Sequence, residues 1–195
     1  MCGIVGYTGA RDCVGVLMEG LAALAYRGYD SAGIAVWDGR RIELRKAKGQ
    51  IELLEKLLKA EPLRGSSGIG HTRWATHGEP NYMNAHPHTD GEKTIALVHN
   101  GIIENYVRLK EMLEKRGHVF VSETDTEVVA QLLGHLYMGD PLTALRQAVQ
   151  LIEGSFALAI QFADDPSAIY CACKDSPMVI GRSQDGCVVA SDIPA

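Results

Sequence analysis

Met1-Cys2-Gly3-Ile4-Val5-Gly6-Tyr7 opens the chain, and this stretch decides the fold that the sequence predicts. Residues 2–7 are apolar, rich in β-forming residues and bounded by glycine, which is typical of a buried strand. Methionine is commonly trimmed before a small residue, so this strand would begin at the first residue of the mature chain. Cys2 is therefore the first candidate for chemistry.

Beyond this strand, the predicted elements do not alternate regularly. Asp38-Gly39 between two β-rich runs indicates a hairpin. The remaining pattern predicts helices over 12–25, 51–58, 104–116, 125–137 and 142–152. It predicts strands over 32–37, 41–47, 68–71, 95–99 and in short runs from 155 to 191, with a loop over 66–70 and a long surface loop over 77–94. Strands come first, helices cluster in the middle and strands return. This order does not fit repeated βαβ units, and it predicts an α+β fold in which sheet layers pack on helices in one compact domain.

Composition excludes several classes of protein. The 195 residues are 46% hydrophobic and 22% charged, and the net charge of -5 gives no basic face for nucleic acid or an anionic membrane. No apolar stretch is long enough for a transmembrane helix, and the start lacks the features of a signal peptide. We therefore predict a cytoplasmic protein whose five cysteines need not pair, with Cys171 and Cys173 filling the core.

Cys2 has a chemical advantage that the other four cysteines lack. Once Met1 is removed, its thiol lies beside a free α-amino group, whose pKa of roughly 7.7–8.0 suits a base near neutral pH. The amine can take the thiol proton and later protonate a departing amine. Taken alone, Met-Cys-Gly is a weak signal, and an incidental buried cysteine is the alternative.

Five ordered blocks of sequence carry a specific resemblance. They are Met1-Cys2-Gly3-Ile4-Val5-Gly6, Tyr26-Arg27-Gly28-Tyr29-Asp30-Ser31-Ala32-Gly33, His71-Thr72-Arg73-Trp74-Ala75-Thr76-His77-Gly78, His99-Asn100-Gly101-Ile102-Ile103-Glu104-Asn105 and Ser122-Glu123-Thr124-Asp125-Thr126-Glu127. Over essentially the whole chain the sequence resembles the N-terminal-nucleophile glutamine amidotransferases, and most closely the glutaminase half of the family that aminates fructose 6-phosphate. The resemblance implies a four-layer α/β/β/α sandwich, with residues 1–195 as a single glutaminase domain and the sugar-phosphate isomerase half absent. Asn81 stands where serine is expected, a minor departure.

The resemblance also implies the catalytic residues. Cys2 would be the nucleophile, Asn100 and Gly101 would donate hydrogen bonds to an oxyanion, and Arg27 would shape the surroundings of Cys2. Taken by themselves, Asn-Gly is as often a plain turn, and an arginine before glycine is a common helix end.

The implied substrate-binding residues recognise the two charges of glutamine. Arg73 would hold the α-carboxylate through two parallel hydrogen bonds, and Asp125 would bind the α-ammonium group, although Thr124-x-x-Glu127 reads equally as a capping box. Thr76, His77 and Gly101 would lie beside the substrate, and Trp74 would gate the ammonia exit. Without the resemblance, Trp74 would be expected to be buried.

The implied activity is hydrolysis of L-glutamine to glutamate and ammonia, with no metal or organic cofactor. In the longer enzyme the ammonia would pass to fructose 6-phosphate, bound by the isomerase domain, to give glucosamine 6-phosphate. Any homodimer would largely involve that missing half. Three alternatives stay open: the glutaminase domain of an amidophosphoribosyltransferase, a regulatory domain that only binds glutamine, and a metal site among the histidines clustered over 71–99.

Overall fold

The computed structural model describes residues 2–74 and 78–195, and its first layer of strands is a six-stranded antiparallel sheet. In chain order its strands are β1 (Gly3–Gly9), β2 (Ser31–Trp37), β3 (Ile42–Lys48), β4 (Ser67–Arg73), β9 (Val179–Arg182) and β10 (Gly186–Ala190). The spatial order is β3-β2-β4-β1-β10-β9. Strand β1 therefore lies inside the sheet, paired with β4 on one side and β10 on the other, and Cys2 directly precedes it.

A second antiparallel sheet of four strands faces the first. Its strands, in the order β5-β6-β7-β8, are β5 (His88–Thr89), β6 (Ile95–Ile103), β7 (Gly154–Phe162) and β8 (Asp165–Lys174). The long register between β6 and β7 runs from Ile95 opposite Phe162 to Ile103 opposite Gly154. Because Asn100 and Gly101 lie inside this ladder, they belong to a strand and do not form an isolated turn.

Helices cover the outer face of each sheet. They are α1 (Cys13–Ala23) and α2 (Ile51–Ala60) on the first sheet, and α3 (Tyr106–Glu114), α4 (Asp125–Leu136) and α5 (Pro141–Leu151) on the second. Strand β1 illustrates the resulting layers, because alternate residues of a strand face opposite sides. Val5 packs into the core beneath α1, whereas Ile4 lies in the core between the two sheets. The arrangement is the predicted α/β/β/α sandwich.

The hairpin and the helices follow from local sequence as predicted. Strands β2 and β3 pair around Asp38-Gly39, where Asp38 Oδ1 accepts the backbone N–H groups of Arg40 and Arg41. The prediction of a loop over 66–70 is wrong, because β4 begins at Ser67 and is buried along its whole length. Pairing with strands on both sides overrides the weak strand propensity of the glycines there.

The predicted surface loop before β6 is only partly at the surface: residues 84–88 are buried, whereas residues 91–94 are exposed. Asn84, His86, His88 and Asp90 are buried, and only residue 77 of that segment lies outside the described residues. Several of their polar groups bond within the protein: Asp90, for example, accepts the backbone N–H of Ile95 at 2.9 Å. Among the described residues, Nδ1 of His86 has no hydrogen-bond partner. The polar residues of this segment are therefore divided between an internal hydrogen-bond network and the surface.

The predicted core role of two cysteines is wrong for one of them. Cys171 is partly buried and packs on the core between the sheets, but Cys173 is exposed. Cys173 lies near the end of β8, whose last two residues are both exposed. Within the described residues, no helix has the length and apolar character needed to cross a bilayer.

Candidate active site

A cavity of about 470 Å³ opens where β1 begins and β4 and β6 end, beside the start of α4. Its walls combine one thiol, two guanidinium groups and one carboxylate with apolar and small polar side chains. The lining residues are Cys2, Arg27, Arg73, Trp74, His86, His99, Asn100, Gly101, Ile102, Thr124, Asp125, Thr126, Ser155, Ser176 and Pro177. The cavity thus brings together predicted residues from all five blocks of sequence.

Cys2 lies at the floor of this cavity, half-buried, with its sulfur against the backbone of Trp74. The Trp74 N–H donates to Sγ at 3.2 Å, and Sγ lies 3.6 Å from the Trp74 carbonyl oxygen. Burial raises the pKa of the Cys2 thiol, an effect that the Trp74 N–H and the charge of Arg73 oppose. The thiol is therefore protonated at neutral pH, so nucleophilic attack by this sulfur would need a nearby base.

The side-chain amide of Asn100 is held between two groups. Its Nδ2 donates to the Cys2 carbonyl oxygen at 3.1 Å, and its Oδ1 lies 2.9 Å from Nε2 of His71. An amide oxygen can only accept, so His71 must carry its proton on Nε2. Burial lowers the pKa of His71 to about 3, which keeps the ring neutral. The two contacts fix the orientation of the Asn100 amide and leave its second N–H available.

Gly101 continues β6 in a conformation that other residues rarely adopt. Its φ is +129°, and a Cβ atom placed there would lie 2.1 Å from the backbone oxygen of Ser155 on β7. Only glycine can bring the backbone this close to the neighbouring strand without displacing it. Glycine is therefore required here for the shape of the cavity wall.

Arg73 and Asp125 place opposite charges on the cavity wall. Arg73 ends β4 and is 4% exposed, with Nη2 3.5 Å from the Gly78 carbonyl oxygen. Asp125 begins α4, and its Oδ2 accepts the backbone N–H of Ile103 at 2.8 Å. The two side chains are thus suited to the carboxylate and ammonium groups of an amino acid.

The capping box at α4 is only half formed. Thr124 Oγ1 accepts the N–H of Glu127, as predicted. The Glu127 carboxylate, however, accepts the N–H groups of Val121 and Ser122 instead of that of Thr124. The cap therefore belongs to Thr124, while the carboxylate of Asp125 reaches the cavity.

Arg27 contacts the same carbonyl group as Asn100. It lies at the end of a short 3₁₀ turn (Ala25–Arg27), and its Nη1 donates to the Cys2 oxygen at 3.3 Å. Its Nη2 forms an ion pair of 2.6 Å with Asp192. Arg27 thereby ties the start of β1 to the residues that follow β10.

Trp74 is 54% exposed, so the unaided prediction that it is buried is wrong. Gly28, with φ of +74°, lies against the indole ring, and a Cβ atom there would be 2.9 Å from Cζ3 of Trp74. The ring therefore covers Gly28 at the rim of the cavity and remains open to solvent on its other face. Thr76 and His77, the other two predicted residues of this segment, lie outside the described residues.

Four buried histidines form a group that sequence reasoning did not assign to the site. His71 and His86 stack with ring centroids 4.1 Å apart, and His88 meets His86 edge-on at 4.9 Å. Burial lowers the pKa of each of these rings and of His99. Among the described residues, no three histidine, cysteine or acidic side chains lie close enough to hold a metal ion. In the sequence, the clustering of histidines over 71–99 was the signal from which this group could have been predicted.

Comparison with solved structures defines the class of protein. The glutamine phosphoribosylpyrophosphate amidotransferase from B. subtilis, complexed with ADP and GMP, matches 97% of this chain and 42% of its own, with a TM-score of 0.84 and 29% sequence identity. The sandwich is therefore that of the N-terminal-nucleophile amidotransferases.

The chain belongs to the glutamine amidotransferase domain family, whose model matches residues 71–195. It is 50% identical to the glutamine–fructose-6-phosphate aminotransferase (isomerizing) of Clostridium acetobutylicum and 53% identical to that of Pyrococcus horikoshii. Both matches cover all of this chain, which spans 32% and 33% of those two relatives. The prediction of a glutamine amidotransferase domain is confirmed.

Proposed function

We propose that this chain hydrolyses L-glutamine to glutamate and ammonia, with Cys2 as the nucleophile and residues 1–195 acting as a single domain. One observation supports this most strongly: the thiol of Cys2, the guanidinium of Arg73 and the carboxylate of Asp125 line one cavity of about 470 Å³. A cavity that contains a thiol, a cation and an anion is suited to a zwitterionic substrate that carries an amide.

The chemistry begins with removal of a proton from the thiol. Because burial raises the pKa of Cys2, the free α-amino group left by removal of Met1 serves as the base. The sulfur attacks the amide carbon of glutamine, and the carbonyl oxygen takes the negative charge. The carbon–nitrogen bond then breaks, ammonia leaves with the proton from the amine, and water opens the thioester to glutamate.

The developing oxyanion is stabilised by Asn100 and Gly101. One N–H of the Asn100 side chain holds the Cys2 carbonyl at 3.1 Å, and the second is free to donate toward the cavity. Arg27, bonded to the same carbonyl, keeps the start of β1 in place as a positioning residue. Such preorganised donors contribute because they need no rearrangement during the reaction.

Substrate selection rests on the two charges of the amino-acid backbone. Arg73 binds the α-carboxylate and Asp125 the α-ammonium group, with Thr76, His77 and Gly101 alongside. Because both Arg73 and Asp125 are buried, a simple amide that lacks these charges would form no charge-assisted hydrogen bond with either side chain and would bind more weakly than glutamine. This arrangement selects glutamine over simple amides.

The use of the ammonia is inferred from the curated relatives, of which this chain spans about a third. We propose that a sugar-phosphate isomerase domain receives the ammonia and transfers it to fructose 6-phosphate to form glucosamine 6-phosphate. Trp74, exposed at the cavity rim, is suited to gate the exit. The 29% identity to a phosphoribosylpyrophosphate amidotransferase makes that activity the weaker alternative.

A glutaminase assay on protein with a verified N-terminal cysteine tests this function. We expect glutamate release by the wild type and none by the Cys2→Ala variant, with isothermal titration showing that the variant still binds glutamine. Binding without turnover in the wild type would instead identify a regulatory glutamine-binding domain. Residual turnover of more than a few per cent in Cys2→Ala would exclude Cys2 as the nucleophile.

A further inference from the structure

A second cavity, of about 660 Å³, lies where the edge strands β3 and β5 of the two sheets face each other. It does not share a lining residue with the cavity at Cys2. Its wall includes Lys46, Tyr82, His88, Lys93, Val121 and Glu127. A volume of this size is within the range of small-molecule sites in proteins, which is roughly 300–1,000 Å³.

Lys46 is the unusual residue of this cavity. Lys46 lies on the same face of β3 as Ile42 and Leu44, the face directed at the second sheet. The side chains of Ile42 and Leu44 pack into the core between the sheets. The side chain of Lys46 is buried, with 9% exposed, and Nζ lies 5.7 Å from the ring centroid of Tyr82. Within residues 2–74 and 78–195, no carboxylate oxygen comes within 4 Å of this ammonium group.

The acidic residues of the same wall are engaged elsewhere. The Glu127 carboxylate accepts the N–H of Val121 at 2.9 Å and that of Ser122 at 2.6 Å. Glu43 forms ion pairs with both Arg41 and Arg45. The remaining acid, Glu92, is exposed at the rim beside Lys93.

Lys46 is therefore a buried cation that no anion among the described residues pairs with. Burial lowers its pKa to about 8, an effect that Glu127 opposes. A buried charge is costly unless it is paired, so an oxyanion placed against Nζ would be stabilised.

We propose that this second cavity binds a small organic oxyanion, a carboxylate or a phosphate ester, with the Lys46 ammonium group as its ligand. Tyr82 and Met83 supply an apolar wall for the body of the ligand, and Lys93 at the rim adds a second cation. The proposal is independent of glutamine hydrolysis, because none of these residues contacts the cavity at Cys2.

Titration of the lysine side chains by NMR tests this proposal on the intact chain. Inorganic phosphate and acetate are the two probes, each compared with sodium chloride at the same ionic strength. An anion bound at Nζ favours the charged amine, so we expect the midpoint of Lys46 to rise by about one pH unit. The resonance is assigned with Lys46→Met, and Lys59, exposed on α2, is the internal control.

The two probes distinguish the sources of the oxyanion. A rise with phosphate alone supports a phosphate ester, a rise with acetate alone supports a carboxylate, and a rise with both supports the shared chemistry. No rise with either probe, or an equal rise at Lys59, overturns the proposal. Thermal unfolding gives a second measurement: the effective probe should raise the Tm of the wild type and of Lys59→Met but not of Lys46→Met.

Discussion

The side-chain nitrogen of Asn100 lies 3.1 Å from the carbonyl oxygen of Cys2, although the two residues are 98 positions apart in the chain. On its other side the same amide meets His71 Nε2 at 2.9 Å. The orientation of the proposed oxyanion donor is thus set by one histidine and by the backbone of the proposed nucleophile. Because Asn100 Nδ2 and His71 Nε2 are both donors, the amide has only one favourable orientation here.

We predict that His71→Leu lowers the kcat for glutamine hydrolysis by about 10–100-fold, because Asn100 then loses the donor that fixes its amide. The KM should change little, since His71 does not line the cavity. His71→Gln, whose side chain can also donate an N–H, should restore part of the kcat. Steady-state kinetics measures both values, and a rise in KM at unchanged kcat would contradict the assignment of His71 as a positioning residue.

We predict that Arg73→Lys lowers kcat/KM by about 10–100-fold, because an ammonium group cannot form two parallel hydrogen bonds with a carboxylate. The matched control is Arg108→Lys, at an exposed ion pair of 2.7 Å with Glu153, which should leave kcat/KM unchanged. Competition by glutamate provides an independent measurement of binding. Equal kinetics for the two variants would remove Arg73 from substrate recognition.

We predict that Gly101→Ala destabilises the protein by about 3 kcal/mol or more, since its Cβ would lie 2.1 Å from the Ser155 backbone oxygen at a φ of +129°. Gly139→Ala is the control: its φ is +90°, and a Cβ there meets nothing within 4 Å. It should cost about 1 kcal/mol through backbone strain alone. Chemical denaturation measures both, and equal losses would show that the contact with β7 is unimportant.

We predict that Lys46→Met raises the free energy of unfolding at pH 7 by about 1–3 kcal/mol, because a buried, unpaired ammonium group is replaced by an apolar side chain. The unfolded chain keeps the Lys46 proton up to a pKa of 10.5, whereas the folded chain loses it near 8. The unfolded state therefore binds more protons in between, and wild-type stability rises with pH through that window.

This advantage of Lys46→Met should accordingly shrink as the pH rises from 8 to 10.5. Denaturation curves at several pH values measure it. Lys59→Met controls for the loss of one positive charge on the surface. A difference between wild type and Lys46→Met that does not depend on pH would contradict the depressed pKa.

Periodicity and turn chemistry were sufficient to predict most of the helices and strands, whereas the four-layer sandwich was implied by the family resemblance. The hairpin at Asp38-Gly39 and the amphipathic helices depend on neighbours close in sequence, so local patterns determine them. Strand β4 was shortened in the prediction because its glycines have low strand propensity. Its burial comes from pairing with β1 and β2, which are distant in the sequence, and no local pattern encodes that.

The predicted site residues came from recognisable blocks, whereas the residues that support them did not. Nothing in the spacing of His71 and Asn100 indicates that they share a hydrogen bond across two sheets. The segment around His86, which is buried, was predicted to be a surface loop because it is rich in His, Pro, Asn and Gly and has little periodicity. An internal network that satisfies polar side chains can be recognised only when all its partners are located.

The most direct test of the central claim is the mapping of a covalent adduct. The protein is treated with a glutamine analogue in which an electrophilic carbon replaces the amide, and its intact mass is measured before the adduct is located by peptide mapping. We predict a single adduct on Cys2, and none on a form with one extra residue before Cys2, whose sulfur lacks the free amine. Cys173 and Cys187 are exposed thiols and report non-specific alkylation. Equal labelling of the extended form, or an adduct on another cysteine alone, would contradict the account.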